Sequence, residues 1–199
     1  MKVIFVFLAA YVLGSIPFGL IISRLWVKVD IRQHGSGNIG MTNVLRTVGY
    51  VPALFTLLFD SGKGVLAVLL AKLVTDDPFL WFACGTMAVV GHNWSVFLRF
   101  KGGRGVATTA GVLLATQPAI TGILFIIWVL VVVLTKYVSL ASITVAVVFP
   151  ICLLLFKVSL PELLLGTVVA AFTVFRHRPN IQRLLQGTEY KFGEKSRPQ

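Results

Sequence analysis

The stretch VATTAGVLLATQPAITGILFIIWVLVVVLT, residues 106–135, decides how this chain folds. It is apolar almost throughout, and Gln117-Pro118 interrupts it near the middle. A run of more than about 18 apolar residues is a candidate transmembrane helix, and a proline inside a helix kinks or ends it. Residues 106–135 therefore form either one long kinked helix or two short passes that turn at Gln117-Pro118.

Five further apolar runs accompany this stretch, at residues 3–26, 50–73, 78–98, 138–156 and 161–175. Hydrophobic residues make up 57% of the 199 residues and charged residues only 13%, whereas soluble domains have about 25% charged residues. The composition therefore predicts an all-α integral membrane protein with one membrane-embedded domain over residues 1–199. The first run could be a signal peptide, but it is long enough to span and no cleavage signal follows it. Cys84 and Cys152 lie inside apolar runs and are interpreted as packing residues.

The basic residues choose between the two arrangements of residues 106–135, because Lys and Arg are concentrated in cytoplasmic loops. A single crossing would put the basic C-terminal segment outside. Two crossings give seven transmembrane helices, with the N-terminus outside and the C-terminus cytoplasmic, although residues 106–117 are then short for a span. This arrangement places most of the 18 basic residues inside: Arg24, Lys28, Arg32, Arg46, Arg99, Lys101, Arg104, Lys136, Arg176, Arg178, Arg183, Lys191, Lys195 and Arg197. Only Lys2, Lys72 and Lys157 lie outside, and Lys63 lies within a span.

The seven-helix arrangement also turns three helix N-termini and all three basic loops toward the cytoplasm. Helix N-termini carry partial positive charge and bind anions. The net charge of +11 is compatible with nucleic acid, anionic lipid or a phosphorylated substrate. Nucleic acid is disfavoured, because the basic segments are short and tied to membrane helices.

The first polar loop, RQHGSGNIGMTN at residues 32–43, is followed by Arg46. Its glycines permit positive φ and a close approach of backbone amides to a ligand, and its Ser, Thr and Asn side chains add short donors. This pattern suits a phosphate or an oxyanion. A flexible turn, with Thr42 or Asn43 as the N-cap of a following helix, would have the same composition.

The second polar loop comprises GHNWS at residues 91–95 and RFKGGRG at residues 99–105. Its second part is typical of a short phosphate-binding loop that opens a helix. The Walker A motif is absent, so we expect phosphate binding without nucleotide hydrolysis. The alternative is a membrane anchor followed by a glycine hinge, with His92 only capping or packing a helix.

The third polar segment reads FRHRPNI at residues 175–181, and GTE follows at residues 187–189. His177 lies between two arginines, which favours its neutral form if the three side chains converge. Glu189 is one of only seven acidic residues and is interpreted as a structural partner of the surrounding cations.

Polar groups inside the predicted spans add candidates. Asp60 and Lys63 share a helix face, so they either neutralise each other or Lys63 faces an anion site. Ser139 and Ser142 either donate hydrogen bonds to a ligand or pack helices together. The acid cluster of a Mg²⁺-dependent phosphotransferase is missing from the sequence, so we expect no metal site and no cofactor.

These segments resemble the PlsY family of bacterial membrane acyltransferases. The resemblance rests on SGNIGMTN at residues 36–43, GHNWSVFLRFKGGRGVAT at 91–108 and RHRPNI at 176–181 with GTE at 187–189. GSIPFG at 14–19, DSGKG at 60–64 and YVSLAS at 137–142 extend it over nearly the whole chain. Met41 and Arg104 stand where a small residue and often a lysine are expected, and Arg104 keeps the charge.

The resemblance implies an enzyme of the bacterial cytoplasmic membrane with seven helices and a cytoplasmic active site. It would transfer an acyl group from acyl phosphate, not from acyl-CoA, to the sn-1 hydroxyl of glycerol 3-phosphate, giving lysophosphatidic acid and phosphate. The resemblance implies that Ser36 and Arg46 are required for activity and that residues 101–105 bind the phosphate of glycerol 3-phosphate. It also implies that His177 and Asn180 support catalysis and that Glu189 maintains structure. With the patterns above, the substrate-binding candidates are Gly37, Asn38, Thr42, Asn43, Lys63, His92, Lys101, Gly102, Gly103, Arg104 and Ser142.

Two other classes of protein compete with an acyltransferase. A transporter or channel for phosphate or another small anion would share the cationic face, but its polar residues would continue across the membrane or its sequence would show an inverted repeat. The outer halves of the predicted spans are almost purely apolar. A lipid-binding scaffold would not need three polar loops. For the acyltransferase we expect a substrate phosphate oxygen, with a second pKa of about 6, to accept the proton; His177 as base and Ser36 as an acylated nucleophile are the alternatives.

Overall fold

The structure is a computed structural model that describes residues 1–194. Lys195 and Arg197, which the charge argument placed inside, lie outside the described residues. Ten α-helices and two short 3₁₀ turns, Ile31–Gln33 and Val96–Leu98, form the described part of the chain, and no strand occurs in it. The helices are α1 (Lys2–Ser15), α2 (Phe18–Val27), α3 (Met41–Thr47), α4 (Tyr50–Lys72), α5 (Pro78–Asn93), α6 (Val106–Thr116), α7 (Pro118–Thr135), α8 (Val138–Leu155), α9 (Leu160–Arg176) and α10 (Arg178–Leu185).

The break at Gln117 is present. Gln117 has a non-helical backbone, with φ of −138° and ψ of 62°, and Pro118 occupies the first turn of α7, where its missing N–H leaves no bond unmade. Residues 106–135 therefore form two helices rather than one kinked helix.

Four segments are long and apolar enough to cross a membrane: Lys2–Val27, Tyr50–Lys72, Pro118–Thr135 and Val138–Leu155. The pair α9 and α10, bent by 53°, gives a fifth if it is counted as one span. α5 has 16 residues and α6 only 11, which is short for a span. The membrane-protein class follows from these helices, whereas the count of seven and the orientation of the termini stay a prediction.

Helices pack at backbone distance through small residues, as is common in membrane bundles. A Cβ added at Gly14 of α1 would overlap the backbone of Ala88 in α5, and one added at Gly64 of α4 would overlap the backbone of Thr108 in α6. α7 and α8 form a neighbouring pair, and α9 packs against α8 and α5. Cys84 and Cys152 are buried free thiols, as predicted for packing residues.

Candidate active site

A cavity of about 340 Å³ lies where the three polar segments meet, and every helix from α3 to α10 contributes to its lining. Its polar end is lined by Ser36, Asn38, Arg46, Arg104, His177 and Asn180. Its other end is apolar and is lined by Leu113, Leu124, Phe125, Trp128, Val145 and Phe149. The fold thus joins a cationic chamber to an apolar channel.

Asn43 holds the first loop in shape. Its side-chain Nδ2 donates to the carbonyls of Ile31, His34 and Asn38 at 2.9–3.1 Å, and its Oδ1 accepts from the amide of Ser36 at 3.0 Å. The buried side chain therefore organises the loop, and it also lines the cavity, so its binding role stays a prediction.

Gly37, unlike Asn43, is outside the cavity lining. Its φ of 69° places it in the left-handed region, and its amide donates to the carbonyl of His34. Gly37 therefore makes the turn that presents Ser36 and Asn38. Thr42, like these two residues, lines the cavity.

The second loop is organised differently from the expected amide cradle. The amide of Gly102 donates to the carbonyl of Asn93 at 3.2 Å, and that of Gly103 donates to the carbonyl of His92 at 2.9 Å. Neither amide can therefore bind a phosphate in this conformation. Lys101 is exposed, and none of these three residues lines the cavity.

The part of this loop that does reach the cavity is Arg104 together with residues 105–107. Val106 begins α6, so the first amides of this helix have no intrahelical acceptor and are available to an anion. Burial, reinforced by the like charge of Arg183, lowers the pKa of the half-buried Arg104 guanidinium to about 10. Arg104 therefore remains a cation at neutral pH.

Arg46 provides a second cation at the polar end. Its guanidinium carbon lies 4.4 Å from the ring centre of Tyr190, which also lines the cavity. Burial lowers the pKa of Arg46 from its ordinary value. Tyr190 was not among the predicted residues, because nothing in its sequence context relates it to Arg46.

His177 is buried beyond the end of α9. Its Nδ1 lies 2.7 Å from the carbonyl of Thr173, which can only accept, so Nδ1 carries the hydrogen and Nε2 has the free lone pair. Burial, with a contribution from the charge of Arg104, lowers the pKa of His177 to about 4. The neutral form is favoured as predicted, but Arg178 takes no part: it is exposed, with its guanidinium carbon 4.1 Å from the ring centre of Phe175.

Glu189 ties the C-terminal segment to α10. Its two carboxylate oxygens accept hydrogen bonds from Asn180 Nδ2 and from Arg183 Nε, both at 2.7 Å. This geometry fits a structural role for Glu189, and it fixes Asn180 at the edge of the cavity.

Lys63 does not reach the cavity. Its ammonium lies 2.8 Å from Asp60 Oδ1, 2.9 Å from His92 Nδ1 and 2.9 Å from the carbonyl of Ile16. The predicted substrate-binding role is replaced by the structural pairing that the sequence left open. Asp60 and His92 do line the cavity, and Asp60 was not predicted to do so.

Ser142 lines the cavity between its two ends. Its hydroxyl donates to the carbonyl of Val138 at 2.9 Å and accepts from Trp128 Nε1 at 3.3 Å. The hydroxyl is therefore already bonded within the bundle. Across residues 1–194, no three His, Cys, Asp or Glu side chains are grouped closely enough to hold a metal ion.

The packing of the two glycines gives a first prediction, on stability. A Cβ at Gly102 would overlap the backbone carbonyls of His92 and Asn93, whereas one at Gly103 would overlap only the His92 ring. Overpacking against a side chain, as at Gly103, costs about 1–3 kcal/mol. Overlap with backbone carbonyls, as at Gly102, is harder to relieve, so we expect Gly102→Ala to lower the melting temperature in detergent more than Gly103→Ala. Gly62→Ala, whose Cβ meets nothing within 4 Å, is the control. Equal losses for the two loop variants would contradict this steric account.

The fold and the cavity define an integral membrane protein with one site that is lined by both cationic and apolar side chains. Residues 4–187 match the protein family described as Glycerol-3-phosphate acyltransferase, and the chain belongs to that family. The sequence resemblance to the PlsY family is thereby confirmed.

Individual relatives agree over nearly the whole chain. Glycerol-3-phosphate acyltransferase 2 of Moorella thermoacetica is 50% identical, over 94% of this chain and 96% of its own length. Glycerol-3-phosphate acyltransferase of Desulforamulus reducens is 46% identical, over 96% of both chains. The crystal structure of PlsY (YgiH), an integral membrane glycerol 3-phosphate acyltransferase, in its glycerol 3-phosphate form superposes with a TM-score of 0.91 at 39% identity, covering 97% of this chain and 96% of that chain. The lysophosphatidic acid form of PlsY gives a TM-score of 0.89 at 38% identity, with the same coverage.

Proposed function

We propose that this protein transfers a fatty acyl group from acyl phosphate to the sn-1 hydroxyl of glycerol 3-phosphate, giving lysophosphatidic acid and phosphate. The observation that carries the proposal is the continuity of the cavity. Its cationic end, with Arg46 and Arg104, suits phosphate groups, and its apolar end suits an acyl chain. Relatives named for glycerol 3-phosphate and a structure in a lysophosphatidic acid form support the assignment.

The chemistry needs few protein groups, because acyl phosphate is an activated mixed anhydride. The sn-1 oxygen attacks the acyl carbonyl carbon, a new C–O ester bond forms, and the bond to the phosphate oxygen breaks. The hydroxyl proton passes to a phosphate oxygen, whose second pKa is about 6. Arg46, Arg104 and the first amides of α6 orient the phosphates and stabilise the developing oxyanion. We assign no step to a metal or a cofactor.

The test is acyl transfer by the purified protein in detergent with palmitoyl phosphate and glycerol 3-phosphate, measured as lysophosphatidic acid and inorganic phosphate formed together. Palmitoyl-CoA in place of palmitoyl phosphate should give no product, and EDTA should leave the rate unchanged. Attack by the sn-1 hydroxyl predicts that 3-hydroxypropyl phosphate remains an acceptor and 2-hydroxypropyl phosphate does not. Absence of lysophosphatidic acid with every donor would refute the proposal.

The apolar inner end of the cavity disfavours the anion channel considered above.

We further propose seven spans in the bacterial cytoplasmic membrane, with the N-terminus outside and the active site on the cytoplasmic face. Single cysteines at Gln33, Lys101 and Gln186, all exposed, should react with an impermeant thiol reagent only from the cytoplasmic side. A cysteine at Asp76, between α4 and α5, should react only from outside. The background lacks Cys84 and Cys152, and labelling of the Gln186 site from outside would overturn the seven-span topology.

A further inference from the structure

Arg176, the last residue of α9, hydrogen-bonds to the second loop. Its Nη2 donates to the carbonyls of Gly102 and Gly103 at 2.7 and 2.8 Å, and its Nε donates to the carbonyl of Gly103 at 3.0 Å. The guanidinium carbon lies 5.7 Å from the ring centre of Trp94, so one face of the group is covered by an aromatic ring.

All four backbone polar groups of Gly102 and Gly103 are consequently bonded. Their carbonyls accept from Arg176, and their amides donate to the last carbonyls of α5 at His92 and Asn93. The space beneath Gly103 is filled by the His92 ring, and that ring is itself held by Lys63 and Asp60. The two glycines are thus fixed between α5 and α9, immediately before Arg104.

We propose that Arg176 is a positioning residue that sets the location of Arg104 in the cavity, acting through Gly102 and Gly103. Arg176 does not itself line the cavity, whereas Arg104 does. These contacts require a planar group whose donors lie on separate nitrogens, since the three donors of an ammonium radiate from one atom and do not match the spacing of Nε and Nη2. The inference rests on the proposed function, in which Arg104 binds a substrate phosphate.

The experiment compares Arg176→Gln and Arg176→Lys with the matched pair Arg178→Gln and Arg178→Lys. Arg178 is an exposed arginine two residues away that makes none of these contacts. We expect both Arg176 variants to raise the KM for glycerol 3-phosphate by about tenfold or more, the effect of about 1.4 kcal/mol of lost binding. The KM for palmitoyl phosphate and kcat should change by less than about threefold, and both Arg178 variants should match the parent. Melting temperatures in detergent identify variants that fail to fold. If Arg176→Gln fails to fold, Arg176→Lys is the variant that tests the proposal.

A double-mutant cycle separates positioning from a general structural or electrostatic effect. In an Arg104→Ala background, Arg176→Gln should cause little further rise in KM, because the group that it positions is already absent. Additive effects, or retention of the parental KM by Arg176→Lys, would overturn the proposal. If the parent protein makes no lysophosphatidic acid, the proposed function fails; if the parent is active and the Arg176 variants behave like the Arg178 variants, only this inference fails.

Discussion

Replacing Arg104 by alanine is expected to lower kcat/KM by about 10³-fold, since removing one partner of a buried, hydrogen-bonded charge pair costs about 2–5 kcal/mol. Arg104 is the cation of the second loop that lines the cavity, and its pKa of about 10 keeps it charged at neutral pH. Arg104→Lys keeps the charge but not the two-pronged geometry, so it should recover part of the loss. The measurement is steady-state kinetics with both substrates varied.

Lys101 supplies the matched control. It lies three residues earlier and is basic, but it is exposed and outside the cavity lining. Lys101→Ala should keep kcat/KM within about threefold of the parent, because exposed charges contribute little binding energy. A loss as large for Lys101→Ala as for Arg104→Ala would mean that the loop binds phosphate as a diffuse basic patch.

His177→Ala is expected to lower kcat by no more than about 10²-fold, at the lower end of the range for general-base catalysis. The neutral imidazole has Nε2 available, but a conjugate acid with a pKa of about 4 makes a weak base. A phosphate oxygen with a pKa of about 6 accepts the proton more readily. His177 then serves by hydrogen bonding at the cavity wall, and its loss should act mainly on KM.

The pH profile tests this assignment of the base. The pKa of His177 is lowered from its ordinary value of 6.5 to about 4, so the residue is neutral in the folded protein from about pH 4 upward. The stability that depends on the neutral form is lost as the pH falls from about 6.5 to about 4, because the unfolded chain binds the proton first. The rate should therefore show a limb at a pH of about 6 that belongs to phosphate and persists in His177→Ala. Disappearance of that limb, together with a kcat loss of 10³-fold or more, would identify His177 as the base.

The sequence predicts the helical bundle well where one residue dictates the backbone. Pro118 ends α6 and starts α7, as expected. The break at Ile16-Pro17, which divides the first apolar run into α1 and α2, was not predicted. Hydropathy is uniform across it, and only Pro17 marks it, by the same rule that Pro118 illustrates. α5 ends at Asn93 rather than at Leu98, since its last carbonyls bond to Gly102 and Gly103 instead of continuing the helix.

The site was predicted by segment more reliably than by residue. Glycine, arginine and hydroxyl patterns identified the three segments that converge, because these residue types are what phosphate binding needs. The sequence does not reveal which of those groups is already bonded within the protein. Asn43 lines the cavity but uses its side-chain amide to hold the first loop, for example at the carbonyl of Ile31, and Lys63 is paired with Asp60 outside the cavity. Tyr190 reaches the cavity through the folding of the C-terminal segment.

The Asp60–Lys63 pair bears on how α4 enters the membrane during synthesis. A lone Asp or Lys at the centre of an inserting helix costs about 2.5–3.5 kcal/mol. Because the two residues are one helical turn apart, their 2.8 Å ion pair can form within α4 alone. The nascent segment is then electrically neutral at its midpoint before the ribosome has made α5 and its His92. Insertion and later assembly thus use the same charges in succession, first to cancel each other and then to bind a neighbouring helix.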